Sequence, residues 1–263
     1  MHKPHSAAHS SLTASQPASA PASAPAAKPA SAPASAPAAK PDSARASAPG
    51  APPPSHHLVA RDTTEPVDAL LSFIAAAWAL SSGPEPRSAA TAFTGPVVLI
   101  DGRSGSGKTA LAEALAEAWP GRAEGATLGA TLPTVVHLDD IYPGWHGLEL
   151  ASAHVHDQLL AAAQPRWQRY DWANERATEW ASVDKARPLI VEGVGALSRQ
   201  NAALATITIW LELDDATRRS RAIARDGQTY EPFWNIWAEQ EDVFLARESP
   251  ASLADVIVDF TAS

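Results

Sequence analysis

One stretch of this sequence has the residue types and spacing of a phosphate-binding loop. Residues 102–109 read GRSGSGKT and match the pattern G-x-x-x-x-G-K-[ST] in full. The glycines of such a loop let backbone N–H groups surround a phosphate, Lys108 can reach the β and γ phosphates, and the Thr109 hydroxyl can ligate Mg²⁺. We therefore predict a nucleotide site formed by the whole loop: Gly102, Arg103, Ser104, Gly105, Ser106, Gly107, Lys108 and Thr109.

Carboxylates follow two further apolar segments of the chain. Asp139 and Asp140 come directly after TVVHL, and Glu192 ends the segment PLIVE. Ligands of an open α/β sheet bind outside the carboxyl ends of the strands, so these acids should converge on the loop phosphates. Phosphoryl transfer needs one carboxylate near the metal and another that accepts the proton of an attacking hydroxyl. The residues alone leave open which of the three acids is the base and which hold the metal.

Other classes of nucleotide-binding protein lack their motifs here. The chain has no N-K-x-D string for reading guanine and no LSGGQ signature, and the dinucleotide pattern G-x-G-x-x-G is not completed after Gly105. One non-enzymatic alternative stays open: a nucleotide-gated binding or regulatory protein, in which ATP orders a lid and the N-terminal segment recruits a partner. An acid at Asp139 beside an acceptor pocket would favour the enzyme.

Short apolar segments alternate with helical patterns in the second half of the chain. The predicted strands are 96–101, 134–139, 188–193, 205–214 and 254–260, and the predicted helices are 108–119, 148–164, 215–225 and 232–248. Strands that are apolar throughout are typical of a parallel sheet covered on both faces. We predict an α/β protein, a three-layer α/β/α sandwich with a mostly parallel sheet and the P-loop NTPase fold.

The N-terminal region differs from the rest in composition. Residues 1–57 consist mainly of Ala, Ser and Pro, hold twelve of the 23 prolines, and repeat PASAPAAKPxSA at 21–32 and 33–44. Such a segment has too little to bury to offset its ordering entropy, so we predict a disordered tail that acts as a tether or, alternatively, as a docking motif. Residues 58–92 are predicted as an N-terminal helix and linker, followed by the nucleotide-binding domain at 93–263.

Composition excludes several classes of protein. Without cysteine there is no disulfide scaffold, thiolate zinc site, iron–sulfur cluster or cysteine nucleophile. The net charge of −9 argues against nucleic acid or an anionic membrane as a partner bound by overall charge. The most apolar stretch, residues 67–80, is shorter than the roughly 20 residues that span a bilayer, and no secretory leader is visible. We expect a cytoplasmic protein.

The order of the motifs resembles uridine kinase and its relatives, phosphoribulokinase and the P-loop pantothenate kinase. The matching pieces, between about residues 97 and 260, are GRSGSGKT, LDDIY, RYDW, IVEG and TRRSRAIARD. The resemblance implies a kinase that uses Mg²⁺ and ATP to phosphorylate a hydroxyl of a small molecule, with a lid at about 214–230. It assigns the base to Asp139, the acid near Mg²⁺ to Glu192, and the lid arginines to Arg218, Arg221 and Arg225. Taken alone, these arginines also fit a solvated helix face.

The acceptor is the part of the reaction that the resemblance specifies least. The predicted substrate residues are Asp139, Tyr142, Trp145, Tyr170 and Asp171, and the predicted metal residues are Thr109, Glu192 and Asp140. The segment after Tyr170 lacks the His that uridine kinases place there, which argues against uridine. Trp167, Trp172 and Trp180 are further candidates for stacking on a planar acceptor. The acceptor's identity, ATP or GTP as donor, and homo-oligomerisation are left open.

Overall fold

The computed structural model describes residues 56–81, 93–120, 128, 131–227 and 230–261. The predicted tail, residues 1–57, lies outside the described residues except for its last two, and so does most of the predicted linker before residue 93. Within the described part of the chain, no helix combines the length and the apolar composition needed to cross a bilayer.

The described residues form eight strands. They are β1 (His56–Val59), β2 (Val97–Gly102), β3 (Thr134–His137), β4 (Arg166–Asp171), β5 (Arg176–Ser182), β6 (Leu189–Glu192), β7 (Ile207–Glu212) and β8 (Val256–Asp259). Six of them build one parallel sheet in the order β1-β8-β7-β2-β6-β3. All five predicted strands are present, with boundaries within two residues of those expected.

Strand β1 at the sheet edge was not anticipated from the sequence. It pairs in parallel with β8, with His56 opposite Val256 and Val59 opposite Asp259. Its four residues, HHLV, are too few to show an apolar pattern, and three of them are exposed. Strand β1 therefore begins within the last two residues of the segment that is predicted to be the tail.

Helices cover both faces of the sheet. They are α1 (Val67–Ser81), α2 (Lys108–Glu117), α3 (Leu148–His154, continued by a π-turn to Leu160), α4 (Arg199–Ala202), α5 (Asp215–Asp226), α6 (Trp234–Glu248) and α7 (Pro250–Leu253). Alternate residues of β2 enter two separate cores. Val97 and Leu99 pack in the core that includes α3 and α6, and Val98 and Ile100 pack in the core that includes α1 and α2. The predicted three-layer α/β/α architecture is confirmed.

The remaining two strands form a separate antiparallel hairpin. Strand β4 pairs with β5, with Arg166 opposite Ser182 and Asp171 opposite Arg176. Glu175 in the connecting turn has a positive φ of 48°. This hairpin carries the RYDW segment toward the loop that follows β3, because the Trp172 indole N–H donates a hydrogen bond to the Asp139 carbonyl oxygen at 2.8 Å.

Candidate active site

The phosphate-binding loop lies between β2 and α2, as its motif requires. Gly105 and Gly107 have φ values of 82° and 101°, in the left-handed region that favours glycine. A Cβ on Gly105 would come within 2.1 Å of the Arg218 carbonyl oxygen, so no other residue fits there. Gly107 directly precedes α2, which places the positive end of the helix dipole at the loop.

Lys108 is buried at the first position of α2. Its Nζ donates to the carbonyl oxygens of Gly102, at 2.7 Å, and Arg103, at 3.1 Å. The ammonium group is therefore held inside the loop by the loop's own backbone. This position is consistent with the predicted contact with the β and γ phosphates, which stays a prediction.

Two of the predicted metal residues meet at the carboxyl ends of the strands. The Thr109 hydroxyl donates to Oε1 of Glu192 at 3.0 Å, and Asp140 lines the same cavity. Mg²⁺ prefers oxygen ligands and, in nucleotide sites, takes only one or two of them from the protein beside phosphates and water. The hydroxyl and carboxylate oxygens present here fit that ion.

A histidine that the sequence analysis missed shares this carboxylate. His137 ends β3 directly opposite Glu192 in the parallel register, and its Nδ1 lies 2.7 Å from Oε1 of Glu192. The hydrogen bond to Glu192 raises the pKa of His137 above its usual value. The sequence held a signal for this pairing, because TVVH and LIVE are strands of equal length that both end at the site.

Asp139 and Asp140 lie in a 3₁₀ turn, Leu138–Asp140, immediately after β3. Both line a cavity of about 810 Å³ that is also lined by Lys108, Thr109 and Glu192. The acids therefore converge on the phosphate-binding loop, as the topology of the sheet predicts.

Aromatic side chains form much of the remaining wall of the cavity. The lining rings are Tyr142, Trp145, Trp172, Tyr230 and Trp237. Trp145 stacks on Phe233, with ring centroids 4.4 Å apart, and on Tyr230 at 5.5 Å, and it contacts Trp172 at 4.9 Å. The Tyr142 hydroxyl donates to the Val194 carbonyl oxygen at 2.8 Å, and burial raises its pKa well above the usual value. Tyr142 therefore contributes its ring, and not its hydroxyl, to the wall of the cavity.

Two predicted substrate residues lie elsewhere. The Asp171 carboxylate accepts hydrogen bonds from the backbone N–H groups of Ala173 and Asn174 and from the Asn174 side chain, so it closes the hairpin turn. Tyr170 packs edge-on against Trp172 at 5.3 Å and does not line the cavity. The hairpin reaches the cavity through Trp172, the last residue of the RYDW segment.

The three lid arginines divide into two kinds. Arg221 and Arg225 are exposed on α5 and line the cavity. Arg218 is buried, donates to the carbonyl oxygens of Ser104 at 3.0 Å and Leu213 at 3.2 Å, and pairs with Asp215. In this structure Arg218 binds the backbone of the phosphate-binding loop, and its predicted role as a lid arginine stays a prediction.

The Arg103 side chain points away from the cavity, and its predicted part in the nucleotide site as a residue of the loop stays a prediction. Its guanidinium donates to Glu241 at 2.9 Å and to Asp242 at 2.8 Å, both on α6, and does not line the cavity. The second oxygen of Glu241 accepts the backbone N–H of Ser104 at 2.9 Å. Glu241 is buried and was missed, because nothing in its helical segment distinguishes it from an exposed acid.

Asp101 is a second buried acid that the sequence analysis did not single out. Its carboxylate accepts the backbone N–H groups of Gly102, Gly195 and Leu197 at 2.6, 3.0 and 2.8 Å. Burial raises the pKa of Asp101 to about 6. An acid inside an otherwise apolar strand was the available signal for a residue that ties β2 to the segment after β6.

Solved structures of similar proteins were found for most of the chain. It is similar to a possible uridine kinase from Bacillus stearothermophilus at 19% identity and a TM-score of 0.45, with 73% of this chain and 98% of the other covered. It is similar to a candidate fructose transport system kinase from Silicibacter sp. TM1040 at 20% identity and a TM-score of 0.43, with 71% and 98% covered. The protein YGR205w is similar at 11% identity and a TM-score of 0.47, with 76% and 95% covered.

The first two of these proteins are described as kinases, the class that the order of the motifs resembles. No protein-family model matches the chain, and no curated protein is similar to it in sequence. At these identities and TM-scores, the function of the chain has to be argued from its own residues.

Proposed function

We propose that the protein is a kinase that transfers the γ-phosphate of ATP to a hydroxyl group of a small molecule. The observation that carries the proposal is a single cavity lined by both Lys108 of the phosphate-binding loop and Asp139 beside an aromatic wall. A protein that only binds nucleotide has no need of a carboxylate next to a second, aromatic compartment. A kinase needs both, because donor and acceptor must react in one water-poor space.

The donor side would hold the phosphates by backbone and charge. The loop N–H groups and the start of α2 favour anions, and Lys108 places a positive charge at the loop. Arg221 and Arg225 line the same cavity from α5. In phosphoryl transfer, negative charge spreads over the equatorial oxygens of the transferred group, and these cations would stabilise it.

Thr109, Glu192 and Asp140 are the residues that would hold Mg²⁺. When bound, Mg²⁺ would supply positive charge that offsets the negative charge of the nucleotide phosphates. The pairing of the Thr109 hydroxyl with Glu192 supports this assignment, because the two side chains are already within 3.0 Å of each other.

Asp139 would accept the proton of the acceptor hydroxyl. Its backbone is fixed by the hydrogen bond from the Trp172 indole, so the carboxylate and one ring of the wall are tied together. An acceptor that packs on Trp172 therefore lies beside the proposed base. Correct positioning and proton removal are the contributions a kinase needs from this side of the cavity.

The test is phosphate transfer from Mg·ATP to a panel of nucleosides, pantothenate, sugars and sugar phosphates, with Mg·GTP in parallel. ADP release without any acceptor is the control. We expect ADP release that depends on one class of acceptor and appears together with the phosphorylated product. Tight ATP binding with no transfer to any acceptor would contradict the proposal and favour a nucleotide-gated binding protein.

A further inference from the structure

His137 and Glu192 face each other at the carboxyl ends of β3 and β6. They are register partners, and the His137 Nδ1 lies 2.7 Å from Oε1 of Glu192. The Thr109 hydroxyl donates to the same oxygen at 3.0 Å. One carboxylate oxygen therefore has two donors, one from the phosphate-binding loop and one from a neighbouring strand.

The arrangement leaves the two oxygens of Glu192 in different environments. An ionised carboxylate only accepts hydrogen bonds, so pairing with a Glu192 anion requires the proton to be on the His137 Nδ1. Oε2 has no hydrogen bond within the described part of the chain, although Glu192 is buried and lines the cavity. One oxygen is anchored, and the other is available to a ligand in the cavity.

We infer that His137 is a positioning residue for the metal: it anchors Glu192 through Oε1 and so presents Oε2 to Mg²⁺ or to a water of its shell. The inference rests on the proposed function. The Thr109 hydroxyl can donate to Oε1 while a lone pair of its oxygen contacts the metal, so Thr109 has a second proposed task in the site. His137 is the donor to Glu192 that has no other proposed task in the site.

Residues that orient a metal ligand usually have a measurable effect on metal affinity. Removing such a partner typically weakens metal binding by about 10- to 100-fold. Glu192 is sensitive to this loss because it is the last residue of its short strand. Without the anchor, its side chain can adopt other rotamers.

The experiment measures Mn²⁺ binding by electron paramagnetic resonance of the free ion, in the full-length protein with a non-hydrolysable ATP analogue. His137→Leu removes the donor, and His137→Asn keeps an N–H close to the position of Nδ1. His156→Asn is the matched control, because His156 pairs with Asp157 outside the cavity. We expect the Leu variant to weaken Mn²⁺ binding by about 10- to 100-fold, the Asn variant to recover most of it, and the control to match the wild type.

Two further measurements separate positioning from folding. The affinity for ADP in the presence of EDTA and the midpoint of thermal unfolding should be the same in His137→Leu and the wild type. A lower ADP affinity or a lower unfolding midpoint, together with weaker Mn²⁺ binding, would overturn the inference by showing a structural role. Unchanged Mn²⁺ binding in His137→Leu would overturn the inference and leave the proposed function standing. If the nucleotide does not strengthen Mn²⁺ binding to the wild type, the proposed function and the inference both fail.

Discussion

The two sides of the cavity are built in different ways. The nucleotide side is one continuous loop whose backbone is fixed by buried polar side chains: Glu241 accepts the Ser104 N–H, and Arg218 donates to the Ser104 carbonyl. The proposed acceptor side is a group of aromatic rings from separate segments, which contact Trp145. Hydrogen bonds fix a geometry closely, whereas ring contacts tolerate substitution of their neighbours. We therefore expect substitutions to change the geometry of the proposed acceptor pocket more readily than that of the phosphate-binding loop.

The two sides meet at Tyr230. Its ring stacks on Trp145 in the proposed acceptor wall, and its hydroxyl lies beside the Ser104 side chain of the loop. Burial raises the pKa of Tyr230, so the phenol stays protonated. A variant that damages one side should leave the other largely intact, provided that it does not disturb this contact.

The largest expected effect comes from the loop lysine. Lys108→Ala should abolish turnover, with a loss of at least about 10³-fold in kcat, because the charge that stabilises the transferring phosphate is removed. Single-turnover transfer from Mg·ATP to the identified acceptor measures it. Lys185→Ala is the matched control, since Lys185 lies outside the cavity. Turnover of Lys108→Ala within about tenfold of the wild type would contradict the assignment.

The next effect tests the proposed base. Asp139→Asn should lower kcat by about 10²- to 10⁴-fold and leave ATP affinity close to that of the wild type, because only the acceptor proton loses its base. Isothermal titration with an ATP analogue and steady-state kinetics measure the two quantities. An equal loss of ATP affinity would move Asp139 to the metal and make Asp140 or Glu192 the better base.

The same contrast explains how much the sequence predicts. The loop, the strands and the strand-end acids follow from contiguous patterns, and those residues are found together. The aromatic wall follows only in part: Trp145 and Trp172 are predicted from the sequence, but their contacts with each other and with Tyr230 are not, because the three residues are far apart in the chain. Residues that act on the backbone, such as Glu241 and Asp101, carry no motif at all. Their roles depend on burial, which the apolar strand around Asp101 indicates but the helical segment around Glu241 does not.

A third prediction separates two neighbours in the hairpin. Trp172→Ala should raise the KM for the acceptor by roughly tenfold, the size expected for losing one stacked aromatic contact. Trp172→Phe keeps a ring and should retain much of that affinity. Asp171→Ala removes only a turn contact and should leave the KM for the acceptor near that of the wild type. If Asp171→Ala weakened acceptor binding more than Trp172→Ala, the acceptor would bind at Asp171 and not at the Trp172 ring.

The smallest expected effect is on the free energy of unfolding. It concerns Asp101, which accepts the backbone N–H of Gly102 at the start of the phosphate-binding loop. Burial raises the pKa of Asp101 to about 6, from an ordinary value of 3.8, so the folded protein holds this proton more tightly than the unfolded chain. The resulting stabilisation is present in acid and is lost as the pH rises through about 6, a change of no more than about 3 kcal/mol.

Asp101→Asn has no carboxyl group to titrate at this position. The free energy of unfolding of the wild type, minus that of this variant, should therefore decrease between pH 4 and pH 7, as measured by urea denaturation. The pH dependence should have the opposite sign at Asp171, which Asp171→Asn tests. The hydrogen bond from Asn174 lowers the pKa of Asp171, so the stabilisation that Asp171 contributes is lost as the pH falls through that lowered value. A wild-type advantage over Asp101→Asn that grows with pH would mean that the three backbone N–H groups outweigh burial and that the loop rests on a charged carboxylate.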